Sequence, residues 1–344
     1  MELGRYNKTG KVEFDESRAL NRSVFISGKS GSGKSTAAQK LILNMAKAGQ
    51  TVLAFDYHMV LAKENIFEGI RKEFEKYVNI IDLYEAPMPL PLFDSITYAD
   101  GRSEADVNTV GAVVDVIKRI YRLGEVQQAE LRKACQYCYT NGLYKDLGMR
   151  AIEEALKIMG GKVASGLCDK LYMLFAQPLF VDGDAPIEDG KINIIRLNHL
   201  DAGTQRTIAE IILSYIWRRT ISMSQKENLV VYLDEVQNIS IRTDSPLRLM
   251  LTEGRKYHLS LILCTQSLGM YFSDSQQRAI MQSGLLLFFK PTDIERRSTA
   301  ALISSNQVSD YALLLSTLKI GEAIAVGELL LNGKRQLTPI KVTF

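Results

Sequence analysis

The stretch Gly28-Lys29-Ser30-Gly31-Ser32-Gly33-Lys34-Ser35-Thr36 constrains this chain more than any other. It follows the apolar run Val24-Phe25-Ile26-Ser27, which reads as a buried strand, and it opens into Ala37-Ala38-Gln39-Lys40-Leu41, which reads as a helix. Gly28, Gly33, Lys34 and Ser35 fit the phosphate-binding loop G-x4-G-K-S at every required position. Backbone N–H groups from Gly28 to Thr36 are expected to curl around a triphosphate, with the helix N-terminus adding partial positive charge. Lys34 is expected to reach the β- and γ-phosphates, and the Ser35 hydroxyl to ligate Mg²⁺. A Gly/Ser linker would lack both the flanking apolar strand and the amphipathic helix. The chain is therefore expected to bind a nucleoside triphosphate, ATP with Mg²⁺, although no base-reading motif separates ATP from GTP.

The 344 residues can hold one large α/β domain or two smaller ones. At 46% hydrophobic and 24% charged residues, the composition is that of an ordinary globular protein. A net charge of +3 does not announce a nucleic-acid protein, yet it is compatible with a ring whose pore alone is basic. The opening Met1-Glu2-Leu3-Gly4-Arg5 is polar, and no apolar run approaches the roughly 18 residues that span a bilayer. A cytoplasmic protein without membrane contact is the expectation. Four cysteines, Cys135, Cys138, Cys168 and Cys264, do not make a disulfide scaffold at this length. Cys135-x-x-Cys138 has metal or redox spacing, but it lies in a helical pattern with no second pair, which favours a structural role.

The remaining pattern is that of a parallel sheet with an interruption. One strand is expected near Lys11-Val12-Glu13-Phe14, another at Thr51–Phe55 after a helix stop at Gly49, and another across Tyr77–Leu83. The proline-rich Ala86–Pro91 breaks this rhythm. From about Ser103 to Ala176 the period becomes helical: Val107, Val110, Val113, Val114, Ile117 and Tyr121 share one face, as do Ile152, Ala155, Leu156 and Met159. Pro178 to Gly190 reads as an acidic loop. Strands then recur at Ile192–Leu197, Leu229–Leu233, Leu259–Cys264, Leu285–Phe289 and Glu322–Val326, with a helix from about Gly203 to Ser222. The polar-alternating Gln336–Phe344 reads as a terminal edge strand. The division expected is a nucleotide-binding core over residues 1–100 and 191–344, interrupted by a helical subdomain over 101–190.

Leu229–Leu233 ends in Asp234-Glu235, the second half of the nucleotide site. Asp234 is placed to support Mg²⁺, and Glu235 to polarise the water that attacks the γ-phosphate. Taken alone, the two could be a solvated acidic pair at a strand end. Gln266, at the tip of the strand after Glu253-Gly254-Arg255-Lys256, would face the γ-phosphate, or would simply satisfy a strand end. Arg255 could stabilise transition-state charge in its own or a neighbouring subunit, or complement a helix dipole.

Together these residues resemble the HerA/FtsK superfamily of RecA-like, ring-forming DNA-pumping ATPases. The likeness rests on the Gly28–Ser35 loop, Asp56-Tyr57-His58 at a strand end, Leu233-Asp234-Glu235, and Glu253-Gly254-Arg255-Lys256 leading into Leu263-Cys264-Thr265-Gln266-Ser267. The Gly321-Glu322-Ala323-Ile324 stretch is similar to the late core strand of the HerA branch. The resemblance covers most of residues 20–344. It implies an α/β fold, a RecA-like P-loop NTPase core with a mainly parallel central sheet and an all-helical insertion. It further implies Glu235 as catalytic base, Gln266 as sensor, Arg255 as a finger near a subunit boundary, and Lys34, Ser35 and Asp234 on phosphate and metal. For Asp56 and His58 a core-edge structural role is expected. HerA proteins carry an N-terminal β-barrel where this chain has a short lead-in, which suggests a near-minimal motor or the motor subunit of a larger assembly.

The leading expectation is a homo-oligomeric ring, a hexamer, that hydrolyses ATP to translocate double-stranded DNA. Backbone tracking of that kind is salt-sensitive. Arg242, Arg248, Arg296, Arg297, Lys334 and Arg335 are the pore candidates. The alternative is an ATP-dependent scaffold ring that regulates a nuclease or other effector partner, as in a phage-defence complex. A small-molecule kinase fits less well, because Asp234-Glu235 with Gln266 suits water activation rather than a substrate hydroxyl. No Leu-Ser-Gly-Gly-Gln run supports a transporter ATPase.

Overall fold

A computed structural model describes residues 1–98, 100–222 and 228–344. β1 (Glu2–Tyr6) and β2 (Gly10–Phe14) form an antiparallel hairpin that turns through Asn7 and Lys8, both at positive φ. The lead-in therefore holds two strands, not the single one its pattern suggests. Only β2 alternates cleanly enough to be read, with Val12 and Phe14 buried between exposed or half-buried neighbours. β3 (Val24–Ser27), α1 (Lys34–Lys47) and β4 (Thr51–Asp56) follow as a βαβ unit, and both strands are buried along their whole length. α2 (Arg71–Phe74) and β5 (Val78–Asp82) complete this part of the chain.

The central part is almost wholly helical. Between the short parallel pair β6 (Met88–Pro89) and β7 (Phe180–Val181) run α3 (Asp106–Tyr121), α4 (Glu125–Asn141), α5 (Leu143–Leu147), α6 (Arg150–Met159), α7 (Gly161–Lys170) and α8 (Tyr172–Ala176). Val110, Val113, Val114 and Ile117 are buried on α3, and Ile152, Ala155 and Leu156 on α6, as their spacing predicts. Cys135 and Cys138 are buried on α4. Burial pushes the Cys138 thiol up to about 12 and that of Cys135 upward as well, so neither offers a thiolate at neutral pH. The structural reading of this pair holds. Among the described residues no cluster of His, Cys, Asp and Glu could hold a metal on its own.

β8 (Ile192–Arg196) and α9 (Ala202–Ser222) precede β9 (Leu229–Leu233). α10 (Pro246–Glu253) begins where Ser245 caps its first turn and Pro246 fixes the first helical φ. Then come β10 (Leu259–Thr265), α11 (Leu268–Tyr271), α12 (Asp274–Ile280), β11 (Leu285–Phe289), α13 (Arg296–Ile303) and α14 (Val308–Thr317). β12 (Glu322–Gly327), β13 (Leu329–Leu331), β14 (Lys334–Gln336) and β15 (Ile340–Thr343) end the chain.

The main sheet has the order β14-β13-β2-β1-β15-β12-β11-β3-β10-β9-β4-β8-β5. β11, β3, β10, β9 and β4 are mutually parallel, and every pairing from β11–β12 outward to β14 is antiparallel. β15 is not the edge strand its alternation suggests, because it pairs with β12 on one side and β1 on the other. Ile340 and Val342 point inward while Thr343 is exposed. Alternation reports which face is covered and says nothing about what lies alongside. Over the parallel strands, Ala37, Ala38, Leu41, Ile42 and Met45 of α1 join Val24, Ile26, Val52, Ala54, Val230 and Ile262 in one apolar cluster. Each fully buried aliphatic side chain there contributes about 1.5–3 kcal/mol relative to exposure.

The chain divides into two compact units. One comprises Met1–Asn79, Glu188–Ile194 and Glu227–Phe344; the other comprises Ile80–Ile187 and Ile195–Lys226. The helical unit is wider than the 101–190 span expected from sequence, since α9 belongs to it. Within that unit Arg218 of α9 pairs with Glu104 and donates to Thr109 Oγ1 at 3.1 Å and the Asp94 carbonyl at 3.0 Å. Among the described residues no helix is long and apolar enough to cross a membrane.

Candidate nucleotide site

The phosphate loop connects β3 to α1, and its shape depends on two glycines. Gly33 caps α1 at φ 103° in the left-handed region, where a Cβ would stand 2.7 Å from the Gly321 nitrogen. A Cβ on Gly28 would stand 2.6 Å from Cβ of Phe289 on β11. The loop is thus closed from behind by the neighbouring strand. Lys29 N–H donates to the Lys290 carbonyl at 2.9 Å, while the Lys29 carbonyl accepts from Ser32 Oγ at 2.7 Å and Lys34 Nζ at 3.0 Å. Lys29, Ser30 and Gly31 are exposed, whereas Ser35 and Thr36 are half-buried on the first turn of α1.

Asp234 and Glu235 leave the C-terminal end of β9. Sheet order puts β10 between β3 and β9, so the acidic pair is not on the strand adjacent to the phosphate loop. The tip of β10, Thr265 and Gln266, lies between the two halves of the site. Burial pushes Asp234 up to about 6, reinforced by the Glu235 charge and partly opposed by Lys34. Burial also lowers Lys34, against the attraction of Asp234 and Glu235. Asp234 thus carries a negative charge that its surroundings under-compensate. Its carboxylate and the Ser35 hydroxyl are hard oxygen donors of the kind that suits Mg²⁺ shared with phosphate oxygens.

Glu235 sits at φ 51°, a left-handed conformation uncommon outside glycine, which turns its side chain toward the end of β10. There its Oε1 accepts from Gln266 Nε2 at 2.8 Å, and its Oε2 accepts from Gln237 Nε2. Of the residues expected at the site, the fold brings Glu235 and Gln266 into direct contact and Lys34 into electrostatic reach of Asp234 and Glu235.

Arg255 is elsewhere. It is exposed, in the 3₁₀ turn Gly254–Tyr257 ahead of β10, at the opposite end of that strand from Gln266. Seven residues of strand separate the two, roughly 20 Å. Asp56 is buried and accepts from the backbone N–H groups of Val60 at 2.9 Å and Leu61 at 3.0 Å, which fixes the turn after β4. His58 is exposed. Asp56 thus has the structural role expected of it, whereas the His58 side chain stands in the open. Arg296 pairs with Asp293, Arg335 pairs with Glu328 at 3.1 Å, and Arg248 donates to the Ser275 carbonyl at 3.1 Å.

Sequence reading missed two contributors. Gln237 gave no signal beyond being polar two residues after Glu235, and Gly321 gave none of its contact with the phosphate loop. Both depend on which strands become neighbours.

The pattern of the family described as "Helicase HerA, central domain" matches residues 1–216. The DNA double-strand break repair helicase HerA of Sulfurisphaera tokodaii is 24% identical over 336 residues, covering 90% of this chain and 63% of that protein. HerA of Sulfolobus acidocaldarius is 23% identical over the same shares. The chain thus spans 63% of the length of these curated relatives. Among solved structures, VirB4 of Thermoanaerobacter pseudethanolicus superposes with TM-score 0.75 at 19% identity, covering 100% of this chain and 96% of that one. The plasmid coupling protein TrwB in complex with ADP and Mg²⁺ gives TM-score 0.59 at 14% identity, covering 94% of this chain and 84% of that one. These likenesses establish the RecA-like P-loop fold, with its central parallel strands, that the resemblance implied. With the phosphate loop, the acidic strand end and the intervening β10 in that arrangement, the chain belongs to the HerA central-domain family of HerA/FtsK-type P-loop ATPases.

Proposed function

We propose that this chain hydrolyses ATP as the motor unit of a ring, a hexamer, that translocates double-stranded DNA. The observation that carries the reading is the meeting of Glu235 and Gln266 at 2.8 Å on adjacent strand ends, with the phosphate loop on the next strand over. That arrangement suits the cleavage of a γ-phosphate by water. Backbone N–H groups from Gly28 to Thr36 bind the phosphates, and Lys34 brings positive charge to the β- and γ-phosphates. Glu235 accepts the proton of the attacking water, and Gln266 faces the γ-phosphate. Ser35 and Asp234 would hold Mg²⁺, whose charge stabilises the developing negative charge on the phosphates.

Arg255 supports the ring. Exposed and about a strand length from its own Gln266, it is out of reach of its own site, so we assign it to the γ-phosphate of a neighbouring subunit. The relatives named as repair helicases give the choice of DNA as the transported polymer.

The test is the steady-state ATPase rate with and without linear double-stranded DNA at low and moderate salt. Strong stimulation that fades with salt, absent in Glu235→Gln, is the expected result. A rate indifferent to DNA overturns translocation and moves the reading to a scaffold ring that regulates a nuclease or other effector.

A further inference from the structure

The carboxylate of Glu235 is held by two side-chain amides, and the two are anchored differently. Gln237 donates to Oε2 through Nε2, and its own Oε1 accepts from Thr265 Oγ1 at 2.8 Å. Thr265 is 1% exposed, at the end of β10. Gln266 donates to Oε1, is exposed, and among the described residues has no second side-chain hydrogen bond. One amide is therefore fixed at both ends and the other at one.

An amide offers an acceptor at one end and a donor at the other. The Glu235 carboxylate only accepts, so it takes the N–H end of the Gln237 amide, and the Thr265 hydroxyl holds the oxygen end. Without that hydroxyl the amide is held at one end only and can swing on the carboxylate.

We propose that Gln237, oriented by Thr265, is a positioning residue that holds Glu235 throughout the hydrolytic cycle, while Gln266 is a releasable latch on the other carboxylate oxygen. The proposal rests on the reading of Glu235 as the base. In the step it serves, water oxygen bonds to the γ-phosphorus as the bond to the β–γ bridging oxygen breaks. ADP leaves with that electron pair, and the water proton goes to Glu235 Oε1. Gln266 covers that oxygen in the structure, so the base is blocked until a γ-phosphate draws the amide away. Oε2 stays bonded to Gln237, so the freed oxygen keeps its direction. Idle turnover is suppressed by the same residue that senses the substrate.

Three full-chain variants test this with ATP: Thr265→Val, which is close in shape but lacks the hydroxyl; Thr265→Ser, which keeps it; and Gln237→Leu. Thr265→Val and Gln237→Leu should lower kcat about ten- to a hundredfold. KM and affinity for a non-hydrolysable ATP analogue should stay within about twofold of wild type. Thr265→Ser should recover most of kcat. Thermal melts check folding, and should Gln237→Leu fail to fold, the two Thr265 variants still decide. Wild-type kcat in Thr265→Val, or an equal loss in Thr265→Ser, overturns the positioning role and leaves the hydrolytic reading standing. A wild-type protein that does not turn over ATP overturns both.

Discussion

The backbone N–H of Gly321 donates to the carbonyl of Ser32 at 3.0 Å, which ties the entry to β12 directly to the phosphate loop. The Gly321 carbonyl in turn accepts from Phe344 N–H at 2.9 Å, and the Phe344 ring packs on Phe289 with centroids 5.6 Å apart. The late strands therefore brace the nucleotide loop. This gives the antiparallel extension of the sheet a role at the site as well as in the core.

From this bracing follows a contrast between two glycines. Gly33→Ala meets both an unfavourable φ of 103° and the Gly321 backbone, whereas Gly31→Ala at φ 73° meets nothing within 4 Å. Gly31→Ala should lose about 1–2 kcal/mol of stability from left-handed strain alone. Gly33→Ala should lose more, and nucleotide affinity should fall at least tenfold with it. Melting curves and titration with a fluorescent nucleotide make the comparison. Equal behaviour of the two variants would show that the brace does not matter for binding.

Arg255 gives a prediction about assembly. Arg255→Ala should keep nucleotide binding and lose turnover, and Lys34→Ala should lose binding. Each preparation alone is then inactive. If Arg255 serves a neighbour, mixing the two and allowing subunits to exchange should restore part of the activity, because some interfaces join an intact phosphate loop to an intact arginine. No recovery over a range of mixing ratios, with exchange verified, would remove Arg255 from the neighbour's site.

Asp234 gives a prediction about pH. Its carboxyl stands at about 6 in the folded chain against an ordinary 3.8. The folded state therefore binds this proton more tightly than the unfolded state, and stability falls as pH rises through the window from about 4 to about 6. Above that window the whole penalty is present. In the absence of Mg²⁺ and nucleotide, Asp234→Asn should be more stable than wild type at pH 7–8, by about 1–3 kcal/mol. The advantage should shrink on acidification and vanish near pH 4. A variant less stable than wild type at pH 8 would mean that burial of the Asp234 charge carries no cost.

What the sequence by itself determined is whatever depends on neighbours along the chain. Gly28 to Thr36 are consecutive, so their loop and the helix it opens could be read directly. The same holds for the buried strands, whose apolar runs must be covered on both faces, and for the helical period of α3 and α6. Asp234 and Glu235 were legible because they end such a run. Tertiary structure decided everything that depends on which strand lies beside which. β10 came to separate β3 from β9, which set Gln266 against Glu235 and left Arg255 at the far end of the same strand. β15 became an interior strand between β12 and β1, and Gly321 came to touch the phosphate loop. Hydrophobic period records whether a face is buried, whereas lateral order is set by backbone hydrogen bonds between distant segments, to which every residue but proline contributes the same N–H and C=O. Gln237 acquires its place on Glu235 only through that order, which is why its side chain gave no sign of it.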